Sequence, residues 1–146
     1  MTTETTQTTK SVKVKKDYIY AIGRRKEATA RVRLYPLKKG EIEVNGMRIE
    51  EYFPGEINRS EYIEPLRTCN LIGKHFITVK VEGSGKKGQL AAIVHGISRA
   101  IDKMDPEKYH PILKKRGLLT RDPRTRERRK AGKGGKARRA KQSPKR

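Results

Sequence analysis

FITVKVEGSGKKGQLAAIVHGISRAIDKM, Phe76 to Met104, changes its hydrophobic period halfway along. Ile77, Val79 and Val81 alternate with polar residues, which is typical of a strand with one buried face. After the glycines, apolar residues recur at spacings of three and four and predict a helix of about four turns: Leu90, Ile93, Val94, Ile97, Ile101 and Met104. Such a helix next to a half-buried strand predicts an α+β fold in which the helix packs on the inner face of a sheet.

The sequence before this stretch predicts three further strands and one helix. Residues 18 to 22 are β-prone, and residues 28 to 34 alternate apolar with polar side chains, so that Arg31 and Arg33 face outward. Residues 42 to 44 form a shorter alternating strand that ends at a turn dipeptide, Asn45-Gly46. Residues 58 to 70 are compatible with a helix that opens at Asn58 or Ser60, although Pro65 weakens this interpretation.

The end of the organised region is marked by a last helix. It is predicted to begin at Pro106, directly behind Asp105, and to stop at Gly117. Leu118 and Leu119 are the last large apolar residues. We therefore expect a disordered Thr-rich arm at 1–16, one globular domain at 17–119, and an extended basic tail at 120–146.

Most of the positive charge lies at the C-terminal end. The chain has a formal net charge of +21, and residues 114–146 contain sixteen Lys and Arg but only two acidic residues, Asp122 and Glu127. A nucleic acid or an anionic membrane is the expected partner of such a segment. A membrane is the weaker alternative, because the tail has no apolar face to insert and the chain has no apolar run of about 20 residues.

The glycines of GSGKKG, at positions 83, 85 and 88, match the spacing of a dinucleotide-binding loop. The remainder of that unit is missing, since no later parallel strand carries an acidic residue to a ribose. A P-loop would need Lys-Ser/Thr where this chain has Gln89-Leu90. We therefore predict no nucleotide cofactor. The loop is either a solvated turn or a phosphate-contacting helix start flanked by Lys86 and Lys87.

No group of residues in the sequence predicts catalysis or metal binding. The histidines, at positions 75, 95 and 110, are isolated, and Cys69 is the single cysteine. His95 is expected to pack or to contact a backbone. The single cysteine and the absence of a leader-like pattern predict a cytoplasmic protein that is not an enzyme.

Basic residues in the domain are interpreted together with the tail. GRRKE is expected to be a basic turn containing Arg24, Arg25 and Lys26. A solvated face is the ordinary explanation of such a run, but a neighbouring cationic tail favours phosphate contact. A tail without a core can be ordered only if phosphate neutralisation, with its release of counterions, offsets a backbone cost of roughly 1 to 2 kcal/mol per residue. Charge alone does not distinguish RNA from DNA.

The order of motifs resembles one family, the ninth protein of the small ribosomal subunit in its bacterial form. The resemblance rests on IGRRKEATARVRLY, IEVNG followed by EEYF, IEPL, GKKGQLAAIVHGISRAI, GLLTRDPR and the closing Lys145-Arg146. It implies a mixed four-stranded sheet backed by helices, with the left-handed β-α-β crossover of the ribosomal protein S5 second-domain class. It also implies a structural protein on rRNA of the small-subunit head, next to other head proteins, whose tail tip contacts peptidyl-site tRNA.

Specific residues follow from the resemblance by position. Lys145 and Arg146 would contact tRNA, and rRNA would be held by Arg24, Arg25, Lys26, Arg99, Arg121, Arg124, Arg126, Arg128, Arg129, Lys130, Lys133, Lys136, Arg138, Arg139 and Lys141. The distribution of basic residues, independently of the resemblance, adds further predicted rRNA contacts: Arg31, Arg33, Lys86, Lys87, Lys114, Lys115 and Arg116. The tail departs from the family in lacking an aromatic residue and in containing Pro144. The alternative to a ribosomal role is a free nucleic-acid chaperone or DNA-compacting protein; no homo-oligomer is expected.

Overall fold

A computed structural model describes residues 17–129 of the chain. The strands are β1 (Ile19–Arg25), β2 (Ala28–Tyr35), β3 (Ile42–Val44), β4 (Met47–Arg48) and β5 (Phe76–Glu82). The helices are α1 (Ile49–Tyr52), α2 (Glu56–Thr68), α3 (Lys86–Met104) and α4 (Pro106–Lys115). The α+β class is confirmed, whereas both expected arms extend outside the described residues, and the domain limits stay a prediction.

The strands form one mixed sheet in the order β1-β2-β5-β3-β4. All neighbouring pairs are antiparallel except β3 and β5, which run parallel and are connected through α1 and α2. The expectation of four strands omitted β4, since two residues are too few to show a period. The handedness of the β3-to-β5 crossover stays a prediction from the resemblance.

The core lies between one face of the sheet and α3. The strand residues at alternate positions are buried as expected, among them Val32 and Leu34 on β2 and Ile77 on β5. Leu90, Ile93, Ile97 and Ile101 of α3 are fully buried against them. α3 packs across β1 and β2, and α2 and α4 pack on α3, so that within residues 17–129 no helix covers the opposite face of the sheet.

Two of the helix-end predictions are confirmed. Asp105 caps α4, its Oδ1 atom accepting a hydrogen bond from the backbone nitrogen of Lys108 at 3.4 Å. After α4, Gly117 has a φ of +71°, and the backbone nitrogen of Leu118 donates to the carbonyl of Leu113 at 3.1 Å. This is a Schellman ending, which turns the chain back toward α3.

The expected start of α2 is wrong. Its N-cap is Gly55, and the side chains of Asn58 and Ser60 instead donate to the backbone carbonyls of Pro54 and Ile57. Pro65 lies inside the helix and is buried. Because it is close to the C-terminal end, it removes one helical hydrogen bond without ending the helix.

Candidate nucleic-acid interface

Three side chains of α3 cover the free edge of β1. They are spaced by four residues, which is about 6 Å along a helix, and they meet strand groups two residues apart, which is about 6.6 Å along a strand. Because these two spacings are similar, successive side chains on one face of α3 can each reach a backbone group on the edge of β1. The hydrogen bonds run from Arg24 N to His95 Nδ1 (3.2 Å), from Arg99 to the Ile22 carbonyl (2.6 Å), and from Lys103 to the Tyr20 carbonyl (3.0 Å).

His95 also holds the segment that follows α4. Its Nδ1 atom accepts from Arg24, so Nε2 carries the proton and donates to the Leu119 carbonyl at 3.3 Å. Burial lowers the pKa of His95, and the positive charges of Arg99 and Arg121 lower it further. The prediction that His95 contacts backbone is therefore confirmed, and the ring is kept neutral by its surroundings.

Three arginines line a groove around His95. Arg24, Arg99 and Arg121 surround the ring together with Leu119. Arg24 comes from β1, Arg99 from α3, and Arg121 from the segment after α4, so the fold brings together residues that are distant in the sequence. All three arginines are exposed. This cationic groove lies where the chain leaves α4 toward its C-terminal residues.

Arg25 differs from Arg24 in being engaged inside the protein. One amino group lies 3.0 Å from the Asp122 carboxylate, and the other donates to the Arg124 carbonyl at 2.7 Å. Asp122 also accepts from the Arg124 guanidinium at 2.7 Å. Hydrogen bonds from Arg124 hold the pKa of Asp122 well below its usual range, with a smaller contribution from the charge of Arg25. The predicted basic turn also needs correction, since Arg24 and Arg25 end β1 and only Lys26 and Glu27 form the turn.

The uncovered sheet face carries a second group of cations. Arg31 and Arg33 point to this face as predicted, and Lys80 of β5 lies directly opposite Arg31. Arg31 is paired with Glu82 at 2.7 Å, and the Arg33 guanidinium lies 5.2 Å from the centre of the Tyr18 ring. Lys80 was missed by the sequence interpretation, although it alternates with the buried Val79 and Val81 and could have been identified from that pattern.

The lysines that open α3 are turned toward α1 and α2. Lys86 Nζ lies 3.3 Å from the centre of the Tyr52 ring, and Lys87 Nζ lies 3.6 Å from the Glu61 carboxylate. These internal lysine contacts were not expected from either sequence interpretation of the loop, the solvated turn or the phosphate-contacting helix start, and phosphate contact by Lys86 and Lys87 stays a prediction. Gly83 and Ser84 before it both have positive φ.

The remaining predicted cations divide into exposed residues and residues that the structure does not describe. Lys26, Lys114, Lys115, Arg116, Arg126, Arg128 and Arg129 are exposed. The others lie outside the described residues: Lys130, Lys133, Lys136, Arg138, Arg139, Lys141, Lys145 and Arg146.

The other two histidines contact groups of the protein itself, and the cysteine is buried. His75 contacts the Pro36 carbonyl at 3.0 Å, and His110 contacts Asp102 at 2.8 Å. Burial raises the pKa of the Cys69 thiol, which favours its unreactive protonated form. Between residues 17 and 129, His, Cys, Asp and Glu side chains do not gather into a group of three or more that could hold a metal ion. Over the same range, no helix has the length and apolar character needed to cross a membrane.

Comparison with known proteins agrees with the resemblance. A family described as ribosomal protein S9/S16 matches residues 23–146. The chain is 48% identical over 120 residues to the small ribosomal subunit protein uS9 of Maridesulfovibrio salexigens, covering 82% of this chain and 91% of the relative. It is 45% identical over 126 residues to the protein of the same name from Cutibacterium acnes, covering 86% of this chain and 72% of the relative. A third relative of that name, from an Anaeromyxobacter species, is 48% identical over 114 residues, which are 78% of this chain and 86% of the relative.

Proposed function

Because this chain belongs to the ribosomal protein S9/S16 family, we propose that its globular part binds rRNA in the small-subunit head and that its C-terminal tip contacts peptidyl-site tRNA. The chain is a structural constituent of the small ribosomal subunit and not an enzyme, as predicted. Its partners in that particle are rRNA and other ribosomal proteins. The finer assignments to the head and to tRNA, and the cytoplasm as its compartment, belong to the proposal.

The cationic groove around His95 is the observation that carries the rRNA proposal. Arg24, Arg99 and Arg121 converge there from three separate parts of the chain. The lowered pKa of His95 reflects a positive local field as well as burial. A phosphate backbone would neutralise this field, and each contact would release condensed counterions. Arg99 also supports β1, so Arg24 and Arg121 are the residues with which the groove can be tested.

The groove proposal is tested by salt dependence. We expect Arg24→Gln and Arg121→Gln each to weaken binding to small-subunit rRNA and to lower the slope of log K against log salt by roughly 0.7 to 0.9. The matched control is Lys39→Gln, which removes one charge from the exposed loop between β2 and β3. Equal slopes for Arg24→Gln, Arg121→Gln and the control would show that the groove is not the interface.

The tail supports the tRNA part of the proposal through its composition. Residues 130–146 contain eight Lys and Arg and no acidic residue. Fully extended, each residue spans about 3.3 Å, so a basic segment of this length can pass a large distance through folded RNA. Its small residues, glycine and alanine, suit narrow gaps between RNA helices, and it ends in Lys145-Arg146.

The tRNA contact is tested with small subunits that contain altered protein. Deleting residues 143–146, or replacing Lys145 and Arg146 with Gln, should weaken peptidyl-site tRNA binding and impair reading-frame maintenance. The double variant Gln142→Ala, Ser143→Ala leaves the charges in place and should behave like the parent chain. Unchanged tRNA affinity and unchanged frame maintenance after removal of both terminal charges would refute this contact.

The alternative of a free nucleic-acid chaperone or DNA-compacting protein is disfavoured by the family. Sedimentation of a cell extract through a gradient at high salt separates the two functions. We expect the protein to migrate with small subunits. Migration with bulk DNA would instead support the alternative.

A further inference from the structure

Arg25 lies across the segment that leaves the domain. Its guanidinium reaches Asp122 and Arg124, which are 97 and 99 positions away in the sequence. One amino group forms the ion pair with the Asp122 carboxylate at 3.0 Å. The other donates to the Arg124 carbonyl at 2.7 Å and approaches the Asp122 carbonyl at 3.4 Å. A single side chain therefore contacts both a carboxylate and the backbone of this segment.

From this geometry, we propose that Arg25 and Asp122 form a clamp that fixes the direction in which the C-terminal segment leaves the domain. Arg25 is then a positioning residue and not the rRNA contact that the resemblance implies. Its side chain is only 19% exposed, compared with 82% for Arg124. Because both of its amino groups already contact protein acceptors, a phosphate would have to compete with the Asp122 carboxylate and the Arg124 carbonyl for most of the N–H donors of Arg25.

Asp122 is an acidic residue in a strongly basic region. A carboxylate there reduces attraction to phosphate, so its presence needs another reason. The structure supplies one, because the carboxylate joins Arg25 to the main chain of its own segment. Oδ1 accepts from the Arg124 backbone nitrogen at 2.9 Å, and Oδ2 accepts from the Arg124 guanidinium at 2.7 Å. These contacts form a small closed turn that Arg25 can hold as one unit.

A second contact supports the same segment before the clamp. His95 donates to the Leu119 carbonyl, and the Gly117 turn has already directed the chain toward α3. Residues 119 to 124 are therefore held by a hydrogen bond at one end and by the clamp at the other. Fixing two points sets a direction, whereas a single point would leave the segment free to swing.

The clamp is tested in the free, full-length protein, without a ribosome. Backbone amide relaxation of ¹⁵N-labelled protein would be compared for the parent chain, Asp122→Asn, Arg25→Lys, the double variant, and the control Glu107→Gln. Asp122→Asn and the control each remove one negative charge, but Glu107 is exposed on α4. We expect residues 119–125 to become more mobile in both single variants, no further in the double variant, and not in the control. Unchanged relaxation in the two single variants would overturn the clamp.

A second measurement separates the clamp from an rRNA contact. Arg25→Lys preserves the charge but cannot bridge the carboxylate and the carbonyl, so we expect rRNA affinity within twofold of the parent chain. A tenfold loss of rRNA affinity with an ordered segment would show that Arg25 binds phosphate, and would overturn the clamp. Asp122→Asn makes the protein more positive by one unit, which by charge alone would strengthen tRNA binding. Weaker tRNA binding by small subunits that contain this variant would therefore show that the direction of the segment, and not its charge, has changed.

This last expectation rests on the proposed tRNA contact. If residues 119–125 become mobile but tRNA affinity is unchanged, the clamp is supported and its influence on tRNA binding fails, while the tRNA contact itself is decided by the Lys145 and Arg146 variants. If those residues keep their order, the clamp fails whatever happens to tRNA. The two proposals can thus fail independently.

Discussion

Gly23 of β1 and Gly96 of α3 lie backbone against backbone. A Cβ atom on Gly23 would lie 2.7 Å from the Gly96 Cα atom and would overlap the Ala92 carbonyl oxygen and the Gly96 nitrogen. This approach lets α3 lie close enough to reach the edge of β1 with His95 and Arg99. The glycine pair therefore supports the groove as well as the core.

We expect Gly23→Ala to destabilise the protein by about 3 kcal/mol or more, because the added methyl meets backbone that cannot rotate away. Thermal and urea unfolding of the full chain would measure the change. Gly85→Ala is the control, since nothing lies within 4 Å of its added Cβ and its φ is −94°. The control should cost about 1 kcal/mol or less, through the weaker helix-capping of alanine. A similar cost for both variants would contradict the close approach.

Asn45 provides a second test, because its side chain continues the pairing of β3 with β5. The amide nitrogen donates to the Val81 carbonyl at 3.0 Å, and the amide oxygen accepts from the Val81 nitrogen at 2.9 Å. Asn45→Gly keeps the positive φ of 51° accessible but removes both bonds, and it should cost about 1 to 3 kcal/mol. Urea unfolding would measure the loss.

The matched control for this prediction is Asn70→Gly. Asn70 has a φ of +54°, close to that of Asn45. Glycine should be tolerated there within about 0.5 kcal/mol. If Asn45→Gly were as mild as Asn70→Gly, the Asn45 amide would contribute nothing to the sheet.

His95 should make stability depend on pH. Its pKa is lowered from an ordinary value of 6.5 by burial and by Arg99 and Arg121, so the unfolded chain takes up a proton more readily than the folded chain. The contribution of neutral His95 to the free energy of unfolding is present above about pH 6.5 and is lost as the pH falls below it. His95→Gln should flatten the change in unfolding free energy between pH 7 and 5.5. An NMR titration of the His95 ring with a midpoint above 6.5 would contradict this prediction.

Lys80 and Lys86 should have opposite effects on binding and stability. Lys86→Met removes the ammonium from the Tyr52 ring and should cost about 0.5 to 1 kcal/mol of stability, with the salt slope of rRNA binding unchanged. Lys80→Met should leave stability within about 0.5 kcal/mol and reduce that slope, if the open sheet face contacts rRNA. Filter binding over a salt series and urea unfolding measure both quantities for each variant. A reduced slope for Lys86→Met would restore the phosphate interpretation of the glycine loop.

Long, regular segments were predictable from the sequence. The alternation in β2 and β5 and the apolar stripe of α3 occupy the positions that their periods predict, because each buries one continuous face. The start and end of α4 were predictable because Asp105 and Gly117 act through local chemistry. β4 and α1 are too short to carry a period, and α2 begins at Gly55 without a side-chain cap, so the usual signal was absent.

The site was only partly predictable, for a different physical reason. The sequence shows which residues are cationic but not which of them already have partners inside the fold. Arg24 and Arg25 are adjacent and chemically identical, yet one lines the groove and the other pairs with Asp122. Contacts between residues so far apart in the chain produce no periodic pattern in the sequence. Their effect is to reduce the number of cations in the globular part that are available to RNA.

The row of α3 side chains on the outer strand has a consequence for the protein before it reaches its particle. An unpaired strand edge is a template onto which another chain can add, and a newly made chain of this kind would be exposed to that hazard until assembly. Here three backbone groups on the open edge of β1, the Arg24 nitrogen and the Ile22 and Tyr20 carbonyls, already bond to imidazole, guanidinium and ammonium groups of the same molecule. Side chains of α3 thus disfavour edge-to-edge pairing of β1 with another chain, without requiring another protein to cover the strand.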